Sequence, residues 1–270
     1  MSRIEKIVNR NKAEKGASTV GHDGALETRE NIRSNIQTYD YSITKTIPVA
    51  DEKLKENRII SRDPTDARAV RFQLLRTKVL QQLRNKNWNT MAITAPTPGA
   101  GKSLVAINLA ASIALEGNQS VLLVDMDLRK PSIHRYFGIA PEYGIHDYLD
   151  GSASIEQIMV NPGIERLVIM PGRKGVLNSS EQIATPFVKN FVEELKTRYD
   201  SRLVIFDLPP MLLSDDVMVF LPYVDCSLLV VENGANTPDE IEDCLELIGD
   251  NPLLGTVLNK AETSGKSFVY

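Results

Sequence analysis

The chain has 270 residues, of which 42% are hydrophobic, and a formal net charge of −4. This length suits one domain of about 200 residues, the size of a typical catalytic domain, with about 60 residues to spare. The slightly acidic balance gives no general electrostatic reason to bind nucleic acid or an anionic membrane, and two cysteines argue against a disulfide scaffold.

The N-terminal segment, residues 1–60, is polar and carries charges of both signs, so we predict a flexible extension. Within it, Ile4, Ile7 and Val8 follow helical spacing among basic residues, which indicates one short amphipathic helix. That helix is either a solvated, fraying segment or a surface that docks on a partner or an anionic leaflet. Because the sequence holds no apolar run of about 20 residues, we predict no membrane span, and a cytoplasmic location.

Helical patterns alternate with short apolar runs from residue 61 to residue 270, which we predict to form one domain. The first long helix is predicted to bury one face, composed of Ala67, Val70, Leu74, Leu75 and Val79. Strands are predicted at residues 91–95, 121–127, 166–170, 202–210, 226–233 and 255–260. Because continuous apolar runs are typical of strands covered on both faces, we predict a doubly wound α/β domain with a mostly parallel sheet.

The stretch ITAPTPGAGKSL, residues 93–104, ends like the phosphate-binding pattern G-x-x-x-x-G-K-[ST]. Pro96 stands where the first glycine of that pattern is expected. The context is nevertheless that of a phosphate site, because a strand precedes the loop and a helix follows it. We therefore predict a P-loop NTPase fold with a deviant Walker A motif, in which the nucleotide contacts Pro98, Gly99, Ala100, Gly101, Lys102, Ser103 and Leu104.

Three aspartates lie at the ends of predicted strands. Asp125 and Asp127 close the run VLLVDMD, and Asp207 closes the run RLVIFD. Side chains two residues apart in a strand point to the same face, so the first two carboxylates would repel each other unless a cation lies between them. Asp207 has the usual position of the acid that organises the water shell of Mg²⁺.

These motifs, in this order, resemble the bacterial tyrosine kinases of capsule and exopolysaccharide biosynthesis, known as BY-kinases. The matched segments are TPGAGKS at residues 97–103, LVDMDLRKP at residues 123–131 and DLPP at residues 207–210. The resemblance covers roughly residues 60–260 and is strongest to free-standing autokinases of exopolysaccharide loci. A missing first glycine is normal in that family. Partition ATPases share the fold but carry a signature lysine where this chain has Thr97.

The resemblance implies an ATP- and Mg²⁺-dependent kinase that phosphorylates tyrosine. It makes Lys102, Asp125 and Asp127 the catalytic residues, and it makes Ser103, Asp125 and Asp207 the metal site. A phenol has a pKa near 10 and a carboxylate has one near 4, so an aspartate orients the tyrosine rather than deprotonating it beforehand. The resemblance also implies that Asn259 contacts adenine, although a polar residue that closes a strand explains it equally.

Two departures from the family concern assembly and the acceptor tyrosine. Many relatives carry Glu-x-x-Arg-x-x-Arg on the helix before the loop, a motif that mediates ring assembly, and only Arg76 of that motif is present here. Relatives also end in a tyrosine cluster. This chain offers Tyr270 near its end, with Tyr39 and Tyr41 as alternative acceptors in the N-terminal extension.

The sequence as a whole predicts a protein-tyrosine autokinase that regulates exopolysaccharide polymerisation and export. Its expected partner is a separate membrane protein of the chain-length-determinant type, which would activate it at the inner face of the cell membrane, and a homo-oligomer is compatible with the family. The alternative is a nucleotide-switched scaffold ATPase, similar to partition ATPases, that transfers no phosphate to tyrosine.

Overall fold

The computed structural model describes residues 44–60, 66–117, 119–197 and 202–261. Within these residues the helices are α1 Asp51–Glu56, α2 Ala67–Lys86, α3 Lys102–Glu116, α4 Ile133–Phe137, α5 Ile145–Leu149, α6 Ile155–Ile158, α7 Ser179–Ile183, α8 Pro186–Thr197, α9 Asp216–Phe220 and α10 Pro238–Ile248. The strands are β1 Lys45–Thr46, β2 Thr90–Thr94, β3 Ser120–Asp125, β4 Val160–Asn161, β5 Leu167–Met170, β6 Arg202–Asp207, β7 Cys226–Glu232 and β8 Leu253–Asn259. The six predicted strands correspond to β2, β3, β5, β6, β7 and β8.

All eight of these strands form one sheet, in the order β1-β4-β5-β3-β6-β2-β7-β8. Its pairs are parallel except for β4 with β5. Every residue of β2, β3 and β6 is buried, as expected for strands that helices cover on both faces. The predicted α/β fold is confirmed, and the three adjacent strands β3, β6 and β2 bring their carboxyl ends together at one edge of the sheet.

The predicted extension is wrong in its last part, because residues 44–60 belong to the folded domain. Strand β1 pairs with β4, and the segment after α1 contributes Ile59 and Ile60, which are 1% and 2% exposed, to the hydrophobic core. The backbone N–H of Ile60 also donates a 2.7 Å hydrogen bond to the side chain of Asn108. Composition misled the prediction because a few apolar residues among many charges are sufficient to anchor a segment. Residues 1–43 lie outside the described residues.

The buried face of α2 differs from the predicted one. Val79 is buried and Leu75 packs against the core, but Val70 and Leu74 are 57% and 63% exposed. The physical reason is helical geometry: at about 100° per residue, nine residues turn the helix by two and a half turns, so Val70 points away from the side that carries Val79. The apolar residues of this helix therefore lie on two faces, of which one is solvated.

Both cysteines are free and buried, and burial raises the pKa of Cys226 to about 12 and that of Cys244 to about 11. In the described part of the chain no helix has the length and apolar content needed to cross a membrane.

Candidate nucleotide-binding and phosphoryl-transfer site

The phosphate loop connects β2 to α3. Gly99 and Gly101 have φ angles of +87° and +93°, a backbone region that favours glycine because a Cβ atom is strained there. Helix α3 begins immediately after Gly101, so its first N–H groups have no partners within the helix and face the loop. The loop thus has the free backbone donors and the helix N-terminus that a phosphate group needs.

Asn259 is in contact with this loop. It ends β8, and its side-chain amide donates a 2.8 Å hydrogen bond to the carbonyl oxygen of Ala100. A Cβ atom added to Gly101 would lie 2.2 Å from the Asn259 Nδ2 atom. The contact ties the last strand to the phosphate loop, which is a structural role. The predicted contact of Asn259 with adenine stays a prediction.

Lys102 lies at the centre of the site, and its side chain is 12% exposed. Its Nζ atom is 2.9 Å from Asp127 Oδ2, 3.5 Å from Asp207 Oδ1 and 3.2 Å from Ser103 Oγ. Burial alone would lower the pKa of Lys102, but the negative charges of Asp207 and Asp127 outweigh it and raise the pKa. The ammonium group is therefore charged, and it supplies the cation that we expected between the closely spaced aspartates.

Asp125 and Asp207 are register partners on the adjacent strands β3 and β6, and both are fully buried. One oxygen of Asp125 accepts hydrogen bonds from the backbone N–H groups of Ser132 (2.9 Å) and Ile133 (3.0 Å). Burial and the charge of Asp207 nevertheless raise the pKa of Asp125 to about 7, and burial also raises the pKa of Asp207. The surroundings of these two carboxylates therefore hold too little positive charge to keep both of them readily ionised.

Two carboxylate oxygens in this cluster have no hydrogen-bond partner, Asp125 Oδ1 and Asp207 Oδ2. Buried polar atoms normally have partners, so these two indicate a place for a cation or a water. The described residues contain no group of three or more His, Cys, Asp or Glu side chains arranged to hold a metal ion. Mg²⁺ usually binds one or two carboxylates and takes its other ligands from phosphates and water.

Asp127 lies just beyond the end of β3 and differs in position from Asp125. It is 5% exposed, and it lines a cavity of about 420 Å³ together with Lys102 and Ser103. Asp125 is not among the residues that line this cavity. Of the two acids that the resemblance makes catalytic, Asp127 is therefore the one that a substrate can reach.

The cavity has further walls that the motifs did not indicate. Ser132 and Tyr136 follow β3, whereas Leu213 and Ser214 follow β6. None of them stands at a recognisable motif spacing, and they meet only because β3 and β6 are neighbours. An alternation of apolar strands could have indicated the two loops as neighbours but could not have indicated which side chains face inward.

Arg129 matches one residue of a basic pair in the resembled family, for which a substrate-guiding and a structural role are both open, and it makes several contacts around the cavity. Its guanidinium group donates hydrogen bonds to Ser179 (2.8 Å), to Asp216 (3.2 Å) and to Asp215 (3.1 Å). Asp216 is fully buried. These bonds support the structural role, because they join the segment after β3 to α7 and to the start of α9.

The residues predicted for assembly and for phosphate acceptance are only partly described. Arg76 donates a hydrogen bond to the carbonyl oxygen of Ser112 on α3 and forms an ion pair with Glu116 at 3.3 Å. It is therefore engaged within its own domain. The three candidate acceptors, Tyr39, Tyr41 and Tyr270, lie outside the described residues.

Comparisons with known proteins agree with the motif resemblance. A family model described as AAA domain matches residues 88–236. The chain is 29% identical over 262 residues to the putative tyrosine-protein kinase EpsB of Ralstonia nicotianae, with 94% of this chain and 34% of EpsB covered. It is 28% identical over 233 residues to the succinoglycan biosynthesis transport protein ExoP of Rhizobium meliloti, with 84% of this chain and 29% of ExoP covered.

A solved structure resembles the fold as well. The kinase domain of Escherichia coli tyrosine kinase ETK superposes with a TM-score of 0.69 at 27% sequence identity, covering 84% of this chain and 92% of that domain. The chain spans about a third of the length of the curated relatives named above. The similarity therefore covers only part of each of these proteins.

Proposed function

Since the chain belongs to the AAA domain family, and its matched relatives include bacterial tyrosine kinases, we propose that it is an ATP-dependent protein-tyrosine autokinase. The observation that carries the proposal is the cluster at the carboxyl edge of the sheet. There a lysine of a phosphate loop lies within 3.5 Å of two aspartates from neighbouring strands. The scaffold ATPase would use the same lysine and aspartates on ATP, so the named tyrosine kinases among the relatives are what favours transfer to tyrosine.

ATP is the phosphate donor in this proposal. Its phosphates bind the loop from Pro98 to Leu104, where the N–H groups at the start of α3 and the ammonium of Lys102 face them. Lys102 then exchanges part of its contact with Asp127 for the phosphate oxygens. Neutralising charge at the transferred phosphoryl group matters because the transition state of such transfers is loose and carries charge on its equatorial oxygens.

A magnesium ion would be held by the hydroxyl of Ser103 and by Asp207 and Asp125, whose unpartnered oxygens support this assignment. When bound, the ion supplies positive charge to the phosphate oxygens. It also supplies the charge that the buried pair of carboxylates lacks.

The transfer step forms a bond between the phenolic oxygen of tyrosine and the γ-phosphorus. It breaks the bond between that phosphorus and the bridging oxygen, which leaves with ADP. Asp127 accepts a hydrogen bond from the phenol, aims its oxygen at the phosphorus and takes the proton as the bond forms. Because a free carboxylate is a weak base against a phenol, positioning contributes more to the rate than proton removal.

We place this activity in exopolysaccharide polymerisation and export, since one relative is named as a succinoglycan biosynthesis transport protein. The expected activator remains a membrane protein of the chain-length-determinant type, which would bring the kinase to the inner face of the membrane.

The test is phosphotyrosine mapping of purified protein after incubation with Mg²⁺ and ATP, beside Lys102→Met and Asp127→Asn variants. We expect phosphate on tyrosine in the wild type and its loss in both variants. If the wild type binds and hydrolyses ATP but acquires no phosphotyrosine, even with a cytoplasmic segment of such an activator present, the kinase proposal fails and the scaffold alternative stands.

A further inference from the structure

A second, smaller cavity of about 270 Å³ lies next to the candidate active site. It is bordered by six basic side chains, Arg129, Lys130, His134, Arg135, Arg173 and Lys174. Among its lining residues there is no Asp or Glu. Two of the six, Arg129 and Lys130, also line the larger cavity that holds Lys102 and Asp127. The two cavities are therefore adjacent.

The walls of the smaller cavity are fixed by close backbone packing. Val176 donates a 2.9 Å hydrogen bond from its N–H to the carbonyl oxygen of Leu128. A Cβ atom at Gly175 would lie 2.3 Å from the carbonyl oxygen of Arg129, and one at Gly172 would lie 2.2 Å from the Pro131 side chain. The loop after β5 is thus held against the segment after β3, which fixes the backbone positions from which the basic side chains extend.

Part of the positive charge in this cavity is left unneutralised. Arg173 is paired with Asp147 at 2.7 Å, and Arg129 is paired with Asp216. Burial lowers the pKa of His134, so its ring adds no charge at neutral pH. Within the described residues no ion pair involves the remaining three cations, Lys130, Arg135 and Lys174. Three like charges around one concavity repel one another, so an anion that binds there gains from all three.

The shape and place of the cavity indicate which anion fits. Its volume suits a single carboxylate side chain better than a nucleotide, and the bordering Arg129 and Lys130 lead directly to the reactive cavity. An extended peptide advances about 3.3 Å per residue, so a neighbour within one to three positions of a tyrosine in the larger cavity reaches the smaller one.

We propose that this basic pocket binds an acidic side chain adjacent to the acceptor tyrosine, and that it selects the segment Tyr39–Tyr41 of a second copy of the chain. Asp40 lies between these two tyrosines, whereas Tyr270 follows the residues Lys-Ser-Phe-Val. The inference rests on the proposed kinase function, and it names the acceptor which that function leaves open.

The experiment uses two fluorescent peptides of residues 34–44, one native and one with Asp40→Asn, and the full-length chain. Fluorescence anisotropy reports binding, and phosphotyrosine formation reports kcat/KM. The test variant is Arg135→Gln/Lys174→Gln, which removes two charges from the pocket. The matched control is Arg71→Gln/Lys189→Gln, which removes one Arg and one Lys charge from exposed positions outside both cavities.

We expect the wild type and the control to prefer the native peptide about fivefold in Kd and in kcat/KM, because each exposed ion pair contributes modestly. The test variant should show no preference, and its Kd and kcat/KM for the Asn peptide should equal those of the wild type. Equal treatment of both peptides by the wild type, or a preference that survives in the test variant, would overturn the proposal. So would binding of an acidic polysaccharide that depends on Arg135 and Lys174 when neither peptide binds.

The two readouts separate this inference from the function on which it rests. If the preference appears in binding and no phosphotyrosine forms on either peptide or on the chain, the kinase function fails while the acidic-peptide pocket stands. If both peptides are phosphorylated equally, the kinase function stands and the pocket inference fails.

Discussion

Replacing Asp125 with asparagine should stabilise the nucleotide-free protein at pH 8, although the residue belongs to the candidate site. Burial and the charge of Asp207 raise the pKa of Asp125 from 3.8 to about 7. The carboxyl therefore keeps its proton to a higher pH in the folded protein than in the unfolded chain. Between pH 4 and pH 7 the folded state therefore binds more protons than the unfolded state, so the free energy of unfolding falls as the pH rises through that window.

The magnitude can be worked from the same values. A rise from 3.8 to about 7 costs the wild type about 4 kcal/mol at pH 8 and about 2 kcal/mol at pH 5.5, at about 1.4 kcal/mol per pKa unit. Asparagine does not ionise, so the variant does not have this pH-dependent loss of stability. It accepts weaker hydrogen bonds from Ser132 and Ile133, which lowers its free energy of unfolding by about 2 kcal/mol. We therefore expect Asp125→Asn to be about 2 kcal/mol more stable at pH 8 and no more stable than the wild type at pH 5.5.

The assay is urea denaturation at pH values from 5.5 to 8, with a metal chelator and without nucleotide. Asp250→Asn, at an exposed position, serves as the control and should change stability by less than about 0.5 kcal/mol at every pH. A destabilised Asp125→Asn protein at pH 8 would refute the reasoning. So would a gain that is the same at both ends of the pH range, since it would not come from proton linkage.

Two further predictions concern the phosphate loop and the N-terminal boundary of the domain. Gly101→Ala should weaken binding of a non-hydrolysable ATP analogue at least about tenfold, as measured by calorimetry, because alanine is strained in the left-handed conformation and its Cβ atom displaces Asn259. Adding Asn259→Ala removes the clash but not the strain, so it should restore only part of the lost affinity. Unimpaired binding by the single variant would contradict the loop geometry. Ile60→Ala should cost about 3 kcal/mol in urea denaturation, since the side chain is 2% exposed, whereas Val70→Ala should cost almost nothing because Val70 is 57% exposed. Equal effects of these two variants would mean that residues 44–60 do not pack as described.

Much of the candidate site could be predicted from the sequence because it depends on local patterns. A buried strand that ends in an aspartate, and a strand that runs into a glycine loop and a helix, are each visible within about ten residues. Their meeting follows from the parallel sheet, whose strands end at one edge. Lys102, Asp125, Asp127 and Asp207 therefore lie together as expected.

What escaped prediction depends on contacts between distant segments. Asn259 reaches the carbonyl oxygen of Ala100 across 159 residues, and no spacing rule connects them. Ile60 lies in the core and its backbone N–H donates to Asn108, a contact between residues 48 positions apart. Val70 and Leu74 were wrongly predicted to be buried because the apolar residues of α2 are spread around the helix. Periodicity alone therefore could not decide which side of the helix packs on the core.

In the proposed function the γ-phosphate of ATP passes to tyrosine rather than to water. The most direct measurement follows labelled γ-phosphate during the first turnovers of the wild-type protein with Mg²⁺ and an activating cytoplasmic segment. It compares label on tyrosine with label released as inorganic phosphate, with Lys102→Met as the blank. We expect label on tyrosine from the first turnover. Label that appears as inorganic phosphate, with none on tyrosine, would contradict it.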